Sequence, residues 1–160
     1  MSNSSSIRDW KNKIIADLHN DEHFLDALGT TELEREDLTY SRIFPYYYIP
    51  DTITTVTTYI LIEIDIKSTS RNNAYAYPII TFTVLCHQDD MRLKMAGVSA
   101  TRADYLAELI DNKYNGAGGF GLGRLELRSN IAGSLNEKFR YRQIIFQGKD
   151  FNDNLCKAED

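Results

Sequence analysis

The chain is poor in the residues that staple, span or grip. Its 160 residues hold two cysteines, three prolines and one tryptophan. Cys86 falls in a predicted strand and Cys156 in the tail, a placement that suggests reduced thiols in a cytosolic setting rather than a disulfide framework. A single Cys86–Cys156 bridge is the alternative. No apolar run approaches the roughly 18 residues of a membrane-crossing helix. The start, Met1 to Ser6, lacks the charged-then-apolar order of a signal peptide. No run of Lys or Arg is present, and the net charge of −5 disfavours an autonomous nucleic-acid binder. No serine sits in G-x-S-x-G, and neither cysteine is read as a nucleophile. No internal repeat is visible.

What is there is ordinary globular material, with 42% apolar and 26% charged residues. A chain of this length is read as one domain, 1–160, able to bury roughly two-thirds of its unfolded surface. Residues 1–5 are expected as a loose terminus and 149–160 as a polar tail. Ile7, Trp10, Ile14 and Leu18 recur at helical spacing, with Ser6 and Asp9 in a capping arrangement. This helix should end near His19-Asn20. Asp21 can cap a second, short helix presenting Phe24, Leu25 and Leu28, with Gly29 as its stop. Thr31 with Glu34 starts a solvated helical turn.

Ile60, Ile62, Ile64 and Ile66 alternate with Glu63, Asp65 and Lys67, the pattern of a half-buried antiparallel strand. Ile80, Phe82, Val84 and Cys86 alternate likewise in a second strand, Tyr77 to His87. Together they predict a long hairpin with its tip at Ser68 to Asn73, and Thr52 to Thr58 is read as an outward extension of the first strand. Thr101 with Asp104 caps a helix whose buried stripe is Ala103, Leu106, Ala107 and Ile110, stopped at Asn115-Gly116. A glycine-rich loop, a strand from Gly121 to Arg128, a turn around Gly133 and a last strand from Phe139 to Gln147 complete the order. The fold class is α+β: an antiparallel or mixed four-stranded sheet with a long β-hairpin, helices packed on one face.

Three motifs invite chemistry, and each has a plainer reading. His19-Asn20-Asp21-Glu22-His23 spells H-x-x-E-H, an inverted zinc-peptidase pattern. Catalysis would need both histidines on one helical face, a third ligand such as His87, and Glu22 as general base. Asn20 and Asp21 break or cap helices, so a polar corner between two helices is the plainer reading. Gly116, Gly118 and Gly121 match G-x-G-x-x-G, but a helix precedes and a strand follows, the reverse of a dinucleotide fingerprint. His87-Gln88-Asp89-Asp90 places a His and two carboxylates at a strand end, where a divalent metal or mere solvation are the alternatives. No cofactor or metal site is expected.

The remaining feature is Phe44-Pro45-Tyr46-Tyr47-Tyr48-Ile49-Pro50. Its prolines stiffen the loop and hold their predecessors extended. Three successive tyrosines cannot all enter one core. The loop either meets a neighbouring subunit or covers the open end of its own sheet. The candidate interface residues are Phe44, Tyr46, Tyr47 and Tyr48 together with the hairpin tip, Ser68, Thr69, Ser70, Arg71, Asn72 and Asn73.

The order of these landmarks resembles the neck and tail-completion proteins of long-tailed bacteriophages, and most of all the tail terminator family. The residues that carry the resemblance begin with the amphipathic opening helix and Asp26-Ala27-Leu28-Gly29, then Ile43 through Thr52. Tyr59-Ile60-Leu61-Ile62-Glu63-Ile64, the strand ending Leu85-Cys86-His87, Arg102 through Asp111, the loop through Gly121, and Arg142-Gln143-Ile144-Ile145-Phe146 follow. Such families share a layout more than a motif. The resemblance implies a non-enzymatic virion protein that closes the tail tube as a hexameric ring. Its partners would be other copies of itself, the tail tube protein and the head-connector or stopper protein. It would assemble in the host cytoplasm and end in the virion neck, with DNA only passing through an acidic lumen that does not grip phosphate. The alternatives are a small metal-dependent hydrolase using His19, Glu22 and His23, or a monomeric protein-binding module.

Overall fold

In the computed structural model, residues 3–51 and 54–152 are described. The first helix, α1, spans Asn3–His19 and buries Ser6, Trp10, Ile14 and Leu18. It starts earlier than expected, so Ser6 lies within the helix, not at its cap. The reason is periodicity: Ser6 stands four residues before Trp10, on the buried stripe. The second helix, α2, spans Glu22–Leu28, with the Asp21 side chain accepting from Phe24 N–H and Gly29 closing it at φ 77°. Thr31 and Glu34 then exchange reciprocal bonds, Thr31 N–H to Glu34 Oε2 at 2.7 Å and Glu34 N–H to Thr31 Oγ1 at 3.2 Å. That capping box opens a single 3-10 turn, Glu34–Glu36.

The sheet has five strands, not four. They are β1 (Ile43–Phe44), β2 (Thr58–Thr69), β3 (Tyr75–His87), β4 (Leu122–Ser134) and β5 (Phe139–Phe151), in the order β1-β2-β3-β5-β4. The extra strand, β1, runs parallel to β2 and pairs Ile43 with Ile60 and Phe44 with Leu61. Two residues cannot display an alternation, and Pro45 has no N–H to continue the ladder. All other pairings are antiparallel. The expected strand extension fails over 54–57, which is not strand, while Thr52 and Ile53 lie outside the described residues. β5 runs on to Phe151, where it pairs with Tyr75, so 149–151 belong to the sheet rather than to a tail. The expected turn at Gly133 is also displaced. Gly133 sits inside β4 because the Tyr141 ring occupies the space a side chain would need. The turn falls after Ser134, where Asn136 Oδ1 accepts from Lys138 N–H at 2.9 Å and Phe139 N–H at 2.8 Å.

The third helix, α3, spans Arg102–Tyr114 behind the Thr101 cap, and Tyr114 adds a fifth residue to its buried stripe. The buried stripes of all three helices join one cluster with Ile60, Ile62, Ile64, Ile80, Phe82, Val84, Ile144 and Phe146. The helices therefore cover one face. Each fully buried isoleucine contributes about 1.5–3 kcal/mol, and a one-residue slip of β2 would drive Glu63 and Asp65 into that core. Cys86 is a free thiol at its edge, and burial pushes its pKa up to about 11. A second cluster lies on the opposite face: Phe44, Tyr59, Leu61, Leu85 and Phe139, with Tyr48 and Tyr141 against it.

Two arginines, Arg42 buried and Arg102 partly so, tie the helical layer to the sheet. Arg42 donates from Nη2 to Leu28 O at 2.7 Å, from Nε to Thr58 O at 2.8 Å and from Nη1 to Glu34 Oε1 at 2.9 Å. Arg102 donates from Nη1 to Ala27 O at 2.6 Å and from Nε to Asp90 O at 2.8 Å. Thr58 Oγ1 donates to Asp90 Oδ2 at 2.6 Å, which links the two arginine networks. Arg42→Met leaves two buried carbonyls without a donor. It should lower the free energy of unfolding by about 3 kcal/mol in chemical denaturation, and Arg42→Lys should recover only part of it because ammonium lacks the fork.

Candidate functional site

The aromatic loop is divided by its own backbone. Because β1 holds Phe44 against Leu61, the Phe44 ring faces the second cluster and is 4% exposed. Tyr48 folds back over it, with ring centroids 4.1 Å apart and planes within 3°. Tyr59 meets both rings edge-on, and Phe139 lies beyond it. Burial, then the neighbouring Tyr48, push the Tyr59 hydroxyl above its ordinary pKa. Phe44 and Tyr48 are thus part of the chain's own packing, the covering role that the loop's sequence left open beside a subunit contact. Tyr46 and Tyr47 point outward at 42% and 44% exposure, and Ile49 reaches 59%.

The sequence reading missed Tyr40. It is 65% exposed and adopts φ 68°, an uncommon conformation for a bulky side chain that costs about 1–3 kcal/mol. Its N–H donates to Ile43 O at 3.0 Å, so the start of β1 holds it there. Its ring stands 6.3 Å from Tyr46, which itself meets Phe44 edge-on at 5.6 Å. Tyr40, Thr39 and Pro45 also form one wall of a cleft of roughly 350 Å³, whose other wall is Ile7, Lys11 and Ile15 of α1. Lys11 ties the walls together, donating to Pro45 O at 2.8 Å and pairing with Glu63. Nothing in the local sequence around Tyr40 signals a positive φ; only the tertiary placement of β1 does.

The hairpin tip lies elsewhere. Ser68 and Thr69 still belong to β2, and eight residues separate Leu61 from Thr69, so the tip is about 25 Å along the strand from the aromatic loop. The tip is braced by its own polar groups. Thr69 Oγ1 donates to Asn73 Oδ1 at 2.7 Å and Ser70 Oγ to Asn72 Oδ1 at 2.8 Å. Asn73 takes φ 56°, and its carbonyl accepts from Asn152 Nδ2 at 2.8 Å. Arg71 is exposed at the crest. The two groups of candidate interface residues form separate surfaces at opposite ends of the hairpin.

The chemical motifs come apart. His19 ends α1, whereas Glu22 and His23 begin α2, and His23 Nε2 shares a 2.7 Å hydrogen bond with Tyr105 Oη. His87 ends β3, 2% exposed, and its Nδ1 accepts from Asp89 N–H at 3.1 Å. Asp90 faces Thr58 and Arg102. Among the described residues no group of three or more His, Cys, Asp or Glu side chains could hold a metal ion. The glycine motif connects α3 to β4; at Gly121, φ 86°, a Cβ would lie 2.7 Å from Lys149 O. No helix is long and apolar enough to cross a membrane among the described residues.

Two sets of measurements sort these features. Phe44→Ala should lower stability by about 3 kcal/mol. Tyr46→Ser with Tyr47→Ser should change it by less than about 1 kcal/mol, and Tyr40→Gly should raise it by about 1 kcal/mol by relieving the positive φ. Chemical denaturation reads all three. Asp21 supplies a pH signature. Burial raises its pKa, but hydrogen bonds from Lys113 and Phe24 N–H outweigh that and leave it below 3.8. Its contribution is present above the unfolded value and is lost as pH falls through the lower folded value. Melting temperature should therefore drop more steeply below about pH 4 in the wild type than in Asp21→Asn.

No curated protein and no solved structure matches the chain. A family match covers residues 12–147, which takes in α1 beyond its first turns, both clusters apart from Trp10, the aromatic loop and most of β5. The chain belongs to that family, YomW, a phage-type family.

Proposed function

We propose that this chain is a virion structural protein that forms a ring at the head–tail neck of a long-tailed phage, as the tail terminator that caps the tail tube and joins it to the head connector. The observation that carries the reading is the outward group of Tyr40, just before β1, with Tyr46, Tyr47 and Ile49 on the proline-braced loop, in a chain of a phage-type family. Tyrosine presents apolar area with a polar tip, which suits a surface that meets a partner. A stiff loop loses little conformational entropy when it docks. The net charge of −5 fits a subunit that lets DNA pass without gripping it. The hydrolase alternative has less support, because its histidines fall on separate helices and His23 is hydrogen-bonded to Tyr105.

The test is the assembly state of purified protein, alone and mixed with tail-tube protein, by light scattering and negative-stain imaging. Closed rings are the expected result, with Tyr46→Ser plus Tyr47→Ser reducing them at an unchanged melting temperature. A strictly monomeric protein that also binds neither tail-tube nor head-connector protein overturns the reading.

A further inference from the structure

The cleft between α1 and the β1 loop starts beside the last described residue of the chain. Its α1 wall runs from Ser4 through Ile7, Arg8, Lys11 and Asn12 to Ile15. Asn3, one residue before Ser4, donates from Nδ2 to Asn152 Oδ1 at 2.8 Å. Asn152 is also pinned to the hairpin tip, its N–H donating to Ala74 O at 3.0 Å. The chain therefore passes into residues 153–160, which lie outside the described ones, at the mouth of the cleft.

The lengths agree. From Asn3 to Ile15 the helix rises about 18 Å. Residues 153–160 span about 26 Å when extended, enough to run along the whole wall. Cys156 stands four residues past Asn152, about 13 Å if extended. That is level with Asn12, nine residues past Asn3 on the helix. Leu155 then falls between Ile7 and Lys11.

The chemistry agrees as well. The cleft's apolar surface comes from Ile7 and Ile15 on one wall and from Pro45 and Tyr40 on the other. Among the described residues its charged lining is Arg8 and Lys11, both basic. Lys11 already pairs with Glu63, whereas the Arg8 side chain is 69% exposed and meets the Asp9 beside it. Residues 153–160 carry Asp153, Glu159 and Asp160 against Lys157, with Leu155 as their large apolar side chain. An acidic segment with one apolar anchor matches a groove of this kind. The tether favours this segment over a second copy's, because a short link holds it at roughly millimolar effective concentration.

We propose that residues 153–160 lie along this cleft in the same chain, with Leu155 against the Ile7–Ile15 stripe and Asp153 toward Arg8. The segment is a strap that closes the cleft and borders Tyr40, one of the outward rings. The proposal does not need the ring reading, since a monomeric chain satisfies it equally.

Cysteine chemistry tests it, because Cys86 is buried and leaves Cys156 as the thiol to trap. Asn12→Cys and Asp9→Cys place a thiol at two exposed positions of α1, the first on the cleft and the second off it. Asp9 lies nearer the tether at Asn3, so an undocked segment reaches it at least as readily. Under mild oxidation Asn12→Cys should form an intramolecular disulfide with Cys156 about tenfold faster than Asp9→Cys, read by mass spectrometry. Leu155→Ser should remove the difference, with thermal melts confirming the fold. Trypsin gives a second reading without added cysteines. Lys157 should be cut about tenfold more slowly in the wild type than in Leu155→Ser. Equal rates at the two cysteines, or equal cleavage with and without Leu155, overturns the proposal. Disulfides that join two chains put a second copy's segment in the cleft and overturn the assignment to the same chain. Either result leaves the ring reading, which imaging tests, where it stood.

Discussion

The structure depends on how the C-terminal carbonyls of α2 are satisfied. A helix end presents orphan acceptors and the negative end of its dipole. Here Leu28 O and Ala27 O receive the guanidinium groups of Arg42 and Arg102, both from outside the helix. Arg42 enters just ahead of β1 and also donates to Thr58 O, at the start of β2. Arg102 opens α3 and reaches Asp90, which in turn accepts from Thr58 Oγ1. One short helix thereby sets the position of β1, the base of the hairpin and the start of α3. Arginine suits this role because its fork donates in several fixed directions at once.

That clamp also explains the aromatic loop. With Arg42 fixed, Ile43 and Phe44 lie beside Ile60 and Leu61. Phe44 must face the second cluster, and Tyr40 must turn through a positive φ just before it. The loop's inner half becomes core and its outer half becomes surface. The covering of the sheet's open end and a contact with a neighbour are then not rivals, because Phe44 and Tyr48 serve the first while Tyr46, Tyr47 and Tyr40 face outward.

Much of this was legible in the chain. The α2 boundaries follow from Asp21 and Gly29, whose local chemistry is short in range and needs no tertiary context. The β2–β3 hairpin and the stripe of α3 follow from periodicity, since a buried face of a regular element repeats in sequence. The misses share a cause. β1 is too short to repeat, Gly133 serves a close approach rather than a turn, and the second cluster gathers Phe44, Tyr59, Leu85 and Phe139 from four separate segments. Of the candidate surface, the tyrosines were visible as a group, but their division into inward and outward rings was not.

The sequence by itself determined the α+β class, the caps of α2 and α3, the isoleucine face and the weakness of the histidine and glycine motifs, because each is written in spacing and in residue chemistry within a few turns of backbone. Tertiary structure alone decided the fifth strand, the second core, the positive φ of Tyr40, the braced hairpin tip and the cleft beside α1. These arise where residues far apart in the chain meet, and a cleft exists only through what the rest of the fold places beside it.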